Sequence, residues 1–224
     1  MTQSVRIVEV ETLTPTVRRY VVEKPDGYEF TPGQATEVSI DQDETRDRKN
    51  PFTFTGRTDA DTLEFVIKSY FDHENGVTRR MWDLAPGDRL LLRDVWGTIA
   101  FAGKGTFIAG GAGITPFIAI LRDLRGRNAL AGSTLIFSNR TEDEIILRKE
   151  LEDMAREGLT LVLTVTDEPG SPLALGRVDE AFLKARVSDF SGHFYVCGPD
   201  GMVADLREVL GRLGVSPQAV VFEK

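Results

Sequence analysis

The feature that most constrains this chain is a change of pattern near its middle. Up to about residue 102, short alternating apolar segments recur at close spacing, separated by glycine and proline turns; beyond it, continuous apolar runs alternate with helical periodicity. The first pattern predicts strands over Val5–Val10, Val17–Val22, Ala35–Ile40, Pro51–Thr55, Thr62–Tyr70 and Arg89–Val95, with turns at Lys24–Gly27, Thr31–Gly33 and Ala85–Asp88. Six short strands so punctuated suggest a small six-stranded antiparallel β-barrel. It carries one helix, Thr78–Leu84, with Val77, Met81 and Leu84 on one face and Thr78 as its N-cap.

The second pattern predicts strands over Thr106–Ala109, Thr134–Phe137, Thr160–Thr166, His193–Cys197 and Ala219–Phe222. Between them lie helices over Thr115–Arg125, Asp143–Arg156, Val178–Ala185 and Met202–Leu213. Apolar strands alternating with helices imply an α/β domain, a five-stranded parallel sheet with helices on both faces. The boundary falls at Ala102–Gly105, giving domains 1–102 and 103–224.

Composition removes several function classes. A net charge of −8, shared by both halves, is a poor match for nucleic acid or an anionic membrane surface, which need clustered cations. The single cysteine, Cys197, excludes an intrachain disulfide and a cluster held by several thiolates of this chain; with His73 and His193 far apart, no metal site is expected. The apolar stretch Thr106–Leu121 is broken by Gly110, Gly111, Gly113 and Pro116, so no membrane span is expected. The N-terminus lacks the layout of a signal peptide, and a cytoplasmic location is expected.

The sharpest local feature is Gly110-Gly111-Ala112-Gly113-Ile114-Thr115-Pro116, after a strand and opening a helix. There the backbone must turn tightly, a phosphate can approach, and free helix N–H groups face it. Pro116 suits the first helical turn and Thr115 can cap it. The spacing is not the Gly-x-Gly-x-x-Gly of the Rossmann dehydrogenases, and the plainer alternative is glycine placed for packing alone. A second signal, Cys197-Gly198-Pro199, ends the fourth strand of this sheet, where ligands of open parallel sheets gather. A buried structural cysteine is the alternative there.

Taken in order along the whole chain, four motifs resemble the ferredoxin–NADP reductase family, in its short bacterial flavodoxin/ferredoxin reductase-like branch. Asn50-Pro51-Phe52-Thr53 resembles the family's flavin motif Arg-x-Tyr-Ser. Gly76-Val77-Thr78 resembles the segment that meets the flavin pyrophosphate. Gly110–Pro116 resembles the nicotinamide-dinucleotide loop. Cys197-Gly198-Pro199, with Phe222-Glu223, resembles the edge where nicotinamide meets flavin.

The resemblance implies a flavin-binding barrel domain, an NAD(P)-binding α/β domain, and a flavoprotein reductase that moves hydride between NAD(P)H and bound FAD, then electrons to a ferredoxin, flavodoxin or similar carrier. It assigns flavin contacts to Asn50, Pro51, Phe52, Thr53, Ile67, Lys68, Gly76, Val77, Thr78 and Phe222. Dinucleotide contacts fall on Gly110, Gly111, Gly113, Ile114, Thr115, Pro116, Ser138, Arg140, Asp167, Cys197, Gly198 and Pro199. Thr53, Cys197 and Glu223 take the catalytic positions: Thr53 as hydrogen-bond partner of flavin N5, Cys197 beside the nicotinamide, Glu223 tuning charge near the ring. Read as residues alone, Phe52 and Phe54 are equally plain core.

Two departures matter. Asn50 stands where the family motif has arginine and cannot supply its charge; Lys49, Arg48 or Arg79 are the candidates to compensate, and FMN stands as the alternative to FAD. The chain ends at Glu223-Lys224 rather than on an aromatic. The carboxylates of Asp167 and Glu168 favour NADH over NADPH, while Arg140 argues the other way. The competing functions are a free-flavin or ferric reductase, with a diffusible acceptor, and an electron-transfer subunit of a larger complex.

Overall fold

The structure is a computed structural model, and it describes residues 2–72, 76–97 and 99–222. Two compact units emerge, Met1–Thr98 together with Thr115–Arg122, and Ile99–Ile114 together with Asp123–Lys224.

The first unit is built on strands β1 (Gln3–Thr14), β2 (Val17–Glu23), β3 (Ala35–Ile40), β4 (Asn50–Thr53), β5 (Thr62–Lys68) and β6 (Arg89–Trp96). They form a six-stranded sheet in the order β4-β3-β6-β1-β2-β5, with every pairing antiparallel. The two-residue alternation sends Tyr20 and Val22, Leu63, Phe65 and Ile67, and Leu90 and Leu92 into one core. Phe54 sits among them, stacked on Phe30 at 4.4 Å and tilted against Phe65 at 5.1 Å. The first strand is longer than its sequence predicts because it serves two partners. Gln3–Arg6 pairs with β6 and Ile7–Thr14 with β2, and an irregularity between Ile7 and Glu9 leaves Val8 exposed. The outer strands β4 and β5 meet in one antiparallel bridge, Phe54–Phe65, beyond the end of β4.

The helix of this unit, α1, spans Val77–Met81, shorter than Thr78–Leu84 and starting earlier. Gly76 is its N-cap, so Thr78 is not; Thr78 lies inside the helix, buried, and its carbonyl accepts the Ser69 hydroxyl at 2.8 Å. The helix stops early because side chains take its last carbonyls. The Tyr20 hydroxyl donates to Met81 O at 2.7 Å, and Arg18 donates to Trp82 O while its guanidinium lies 4.2 Å from the Trp82 ring centroid.

The second unit holds β7 (Gly105–Gly110), β8 (Thr134–Asn139), β9 (Thr160–Val165), β10 (His193–Cys197) and β11 (Val220–Phe222). All are parallel, in the order β11-β10-β7-β8-β9. Its helices are α2 (Thr115–Gly126), α3 (Arg148–Arg156), α4 (Glu180–Arg186) and α5 (Asp200–Arg212), although the first two turns of α2 pack with the first unit. Ile108, Ile136, Phe194 and Val196 pack with Phe182, Leu183, Leu206 and Leu210 from α4 and α5. The alternate residues Phe107, Leu135, Phe137 and Tyr195 are just as buried, as a sheet covered on both faces requires.

The helix expected over Asp143–Arg156 is divided. A single 3-10 turn, Glu142–Glu144, precedes Leu147 in the left-handed region (φ +54°), and only then does α3 begin. The cause is lateral anchoring. The Glu142 carboxylate takes Arg148 at 2.6 Å and the Ser171 hydroxyl, and the Glu142 N–H donates to Glu168 at 2.7 Å, so this turn is tied to the loop after β9. These partners hold the Glu142 carboxyl below its ordinary pKa, the Ser171 hydroxyl first. The helix expected from Val178 starts at Glu180, because Asp179 caps it by accepting the Phe182 N–H at 2.8 Å. Among the described residues no helix is long and apolar enough to cross a membrane, and no group of three or more His, Cys, Asp or Glu is placed to hold a metal ion.

Candidate dinucleotide and flavin sites

In the second unit the two sequence motifs converge. β7 ends at Gly110, a 3-10 turn covers Gly111–Ile114, and α2 starts at Thr115 with Pro116 in its first turn. Ile114 is the N-cap, so the capping role expected of Thr115 is not realised. In the adjacent strand, Cys197 lies in register with Ala109 at the carboxyl edge of the sheet and is buried. The turn rests on the segment that follows it. A Cβ at Gly113 would lie 2.4 Å from Cys197 O and 2.6 Å from Gly198 N. One at Gly110 would meet Met202 Sδ at 2.5 Å and Pro199 Cδ at 2.9 Å. A Cβ at Gly198 would lie 3.1 Å from Gly110 N, a tighter approach than most side chains make. These three glycines are therefore explained by close packing, against backbone at Gly113 and Gly198 and against side chains at Gly110. Gly111 is different: it has φ +53° and nothing within 4 Å of an added Cβ, so it serves the turn and leaves one side open.

The neighbouring strands end beside this turn. Ser138 is paired in register with Gly110, and Asn139 closes β8. Beyond them, exposed Arg140 and Asp167 form an ion pair at 3.1 Å, braced by a hydrogen bond from Asp167 N to Arg140 O at 2.8 Å. That hydrogen bond to Asp167, with the nearby Glu144 carboxylate, raises the pKa of Arg140. Phe222 lies half-buried on β11 opposite Val196, with the Arg207 guanidinium 4.5 Å from its ring centroid. Glu223 lies outside the described residues.

The first unit gathers the other motifs. On β4, Thr53 pairs with Ala35 and Phe52 with Thr36; Pro51 is exposed and Asn50 half-buried. Thr53 is 7% exposed, and no hydrogen bond of its hydroxyl is seen among the described residues. Phe54 is core outright, whereas Phe52 is half-buried and only leans on that core. Ile67 has its side chain in the core; Lys68 is half-buried at the end of β5. Gly76 caps α1 with no side-chain hydrogen bond, so the N–H groups of Val77 and Thr78 are not satisfied by a capping side chain. Around them, Arg79 pairs with Asp83 at 2.8 Å and Arg80 with Glu44 at 3.5 Å; Lys49 reaches Glu37 at 3.4 Å. Such exposed pairs are weak and readily exchanged for a phosphate.

One group escaped the sequence reading. Glu64, on β5, accepts the Thr55 hydroxyl at 2.7 Å and Arg122 at 2.6 Å, and Arg122 also donates to Thr55 O at 2.8 Å. Glu64 reads as one more polar residue of an alternating strand, and its partner lies 58 residues away.

Known proteins share this architecture. A ferredoxin NADP+ reductase from Neisseria gonorrhoeae, solved with bound FAD and NADP, superposes with a TM-score of 0.87 over 99% of this chain and 98% of that one, at 21% identity. The likeness is one of fold. Within that fold, residues 107–208 match the family model described as the oxidoreductase NAD-binding domain. The chain is 34% identical over 128 residues to ferredoxin–NADP reductase B of Sorangium cellulosum, covering 53% of this chain and 52% of the relative. It is 27% identical over 236 residues to NADH-cytochrome b5 reductase 2 of Mycosarcoma maydis, covering 89% and 66%. The chain spans between 36% and 66% of the length of such curated relatives.

Proposed function

We propose that this chain is the flavin- and nicotinamide-binding module of an oxidoreductase, which takes hydride from NADH or NADPH and passes electrons to a separate redox partner. The observation that carries this reading is the convergence of the Gly110–Ile114 turn with Cys197–Pro199 at the carboxyl edge of the parallel sheet, inside the segment that matches the NAD-binding model. The residues fit such ligands. Gly111 leaves an open side on a turn that presents backbone N–H groups, and Thr53 carries a hydroxyl on a largely buried residue of β4.

When bound, FAD supplies hydride acceptance at N5 and one-electron release; the chain's part is binding and orientation. The Thr53 hydroxyl is the donor toward N5, and Phe52 offers a ring face. Val77 and Thr78 present N–H groups to the flavin pyrophosphate, with Arg79 and Lys49 supplying the charge that Asn50 lacks. The turn Gly111–Thr115 holds the nicotinamide pyrophosphate, Ser138, Arg140 and Asp167 take the adenosine half, and Cys197 borders the nicotinamide. Asp167 and the adjacent Glu168 disfavour a 2′-phosphate, so NADH is the preferred donor. The partner proposed is a ferredoxin or flavodoxin.

The test is a stopped-flow mix of the purified, flavin-loaded protein with each nucleotide. Flavin absorbance bleaches, with higher efficiency for NADH; absorbance that never falls with either nucleotide overturns the reading. A second reading, an NAD(P)H:free-flavin reductase, is favoured by Asn50 and by the engagement of Lys49 with Glu37, which weaken the phosphate site. Protein that purifies colourless yet turns over added flavin selects it.

A further inference from the structure

We infer that Arg122 and Glu64 are positioning residues, which fix the start of α2 relative to the strand that carries Thr53; this rests on the function proposed above. The first two turns of α2, Thr115–Arg122, belong to the same unit as β4 and β5. Arg122 fastens them there by polar contacts. Arg122 Nη1 donates to Glu64 Oε1 at 2.6 Å and to the Thr55 carbonyl at 2.8 Å. Glu64 Oε1 also accepts the Thr55 hydroxyl at 2.7 Å, and its other oxygen lies 3.7 Å from Arg19. Both Arg122 and Glu64 expose only 13% of their side chains. The stretch of α2 that leads up to Arg122 is apolar, with Phe117, Ile118, Ile120 and Leu121 buried.

A largely buried ion pair is weak evidence for stability, because hydrophobic residues of similar volume often do as well; the role it can serve is to select one register and one orientation. Here the register has two ends of consequence. Thr55, to which Arg122 is bonded twice over through Glu64 and the carbonyl, follows Thr53 by two residues on an ordered backbone. At the other end, α2 is a continuous helix, so Arg122 holds Thr115 and Pro116 at a fixed distance of about 10 Å along the axis. The ion pair thus ties the first turns of α2 to the strands of their own unit, Thr53 among them. Reactions that depend on positioning are sensitive to such ties, a displacement of about 1 Å costing on the order of 100-fold in rate.

The experiment compares flavin-loaded wild type with Arg122→Ala, Arg122→Lys and Glu64→Gln. The readouts are flavin reduction over a range of NADH concentrations, reduction by dithionite, flavin content and thermal unfolding. At saturating NADH the reduction rate falls roughly 10- to 100-fold in Arg122→Ala. The NADH concentration giving half the limiting rate changes little, dithionite reduction is unchanged, and Arg122→Lys recovers most of the loss. Glu64→Gln, nearly isosteric, gives a smaller loss of the same kind and keeps the test open should Arg122→Ala fail to fold. Variants that melt earlier but reduce at the wild-type limiting rate overturn the positioning role while leaving the function intact. A wild type that is not reduced by NADH overturns the functional reading itself, and this inference with it.

Discussion

The carboxyl edge around β7 and the inner surface around β4 reach their candidate ligand sites by different means. At β7 the site is backbone: Gly110, Gly113 and Gly198 let two chain segments approach within van der Waals contact, and Gly111 takes a left-handed conformation. At β4 it is side chains: a buried threonine, a half-buried phenylalanine, and charges held in exchangeable surface pairs. A site made of backbone marks the sequence with glycines that no other residue replaces. A site made of side chains uses residues that serve equally well as core.

The contrast breaks most sharply at Gly113. Gly113→Ala places a methyl group against the Cys197 and Gly198 backbone, so it should lower stability by about 3 kcal/mol in urea unfolding and abolish reduction by NADH. Gly111→Ala meets no atom and loses only the conformational preference, about 1 kcal/mol. Equal losses at the two positions would refute the distinction between packing and turn glycines. At β4 the expected effect is kinetic. Thr53→Val slows flavin reduction about 10-fold or more while stability stays close to wild type, and Thr53→Ser retains the rate. A Thr53→Val protein that reduces normally assigns the hydroxyl to the fold alone.

The smallest effect concerns the core beneath α1. Burial pushes the Tyr20 hydroxyl up from 10.0 to about 12, with Arg18 opposing the shift. A pKa raised by folding gives stability that is complete below pH 10 and is lost as pH rises through about 12, because the unfolded chain releases this proton first. Between those values stability should fall by about 1.4 kcal/mol per pH unit at most. Tyr20→Phe removes that slope and costs about 1 kcal/mol at neutral pH by leaving the Met81 carbonyl without its donor. Urea unfolding at pH 9 and pH 11 checks both.

The same contrast explains what was legible in the sequence. The strand order could not be read, but the two sheet types could, because alternation and continuous apolar runs report directly how many faces are covered. Gly110–Pro116 and Cys197–Pro199 stood out as motifs, and the structure brings them together. The start of α1 was misread because Thr78 has the chemistry of a cap, whereas Gly76 caps by conformation and the Ser69 hydroxyl claims the Thr78 carbonyl. The break at Leu147 was invisible, since it depends on Glu142 being held by Ser171 and by Glu168 from another loop. Arg122 and Glu64 were missed for the same reason: a pairing across 58 residues leaves no periodicity.

Pro51 carries a consequence outside redox chemistry. It lies exposed at the middle of β4, an outermost strand, and has no N–H to offer. A strand without that donor is a poor template for the strand of another molecule. Replacing this proline restores an edge donor, so a survey of variants at this position should score soluble yield beside turnover.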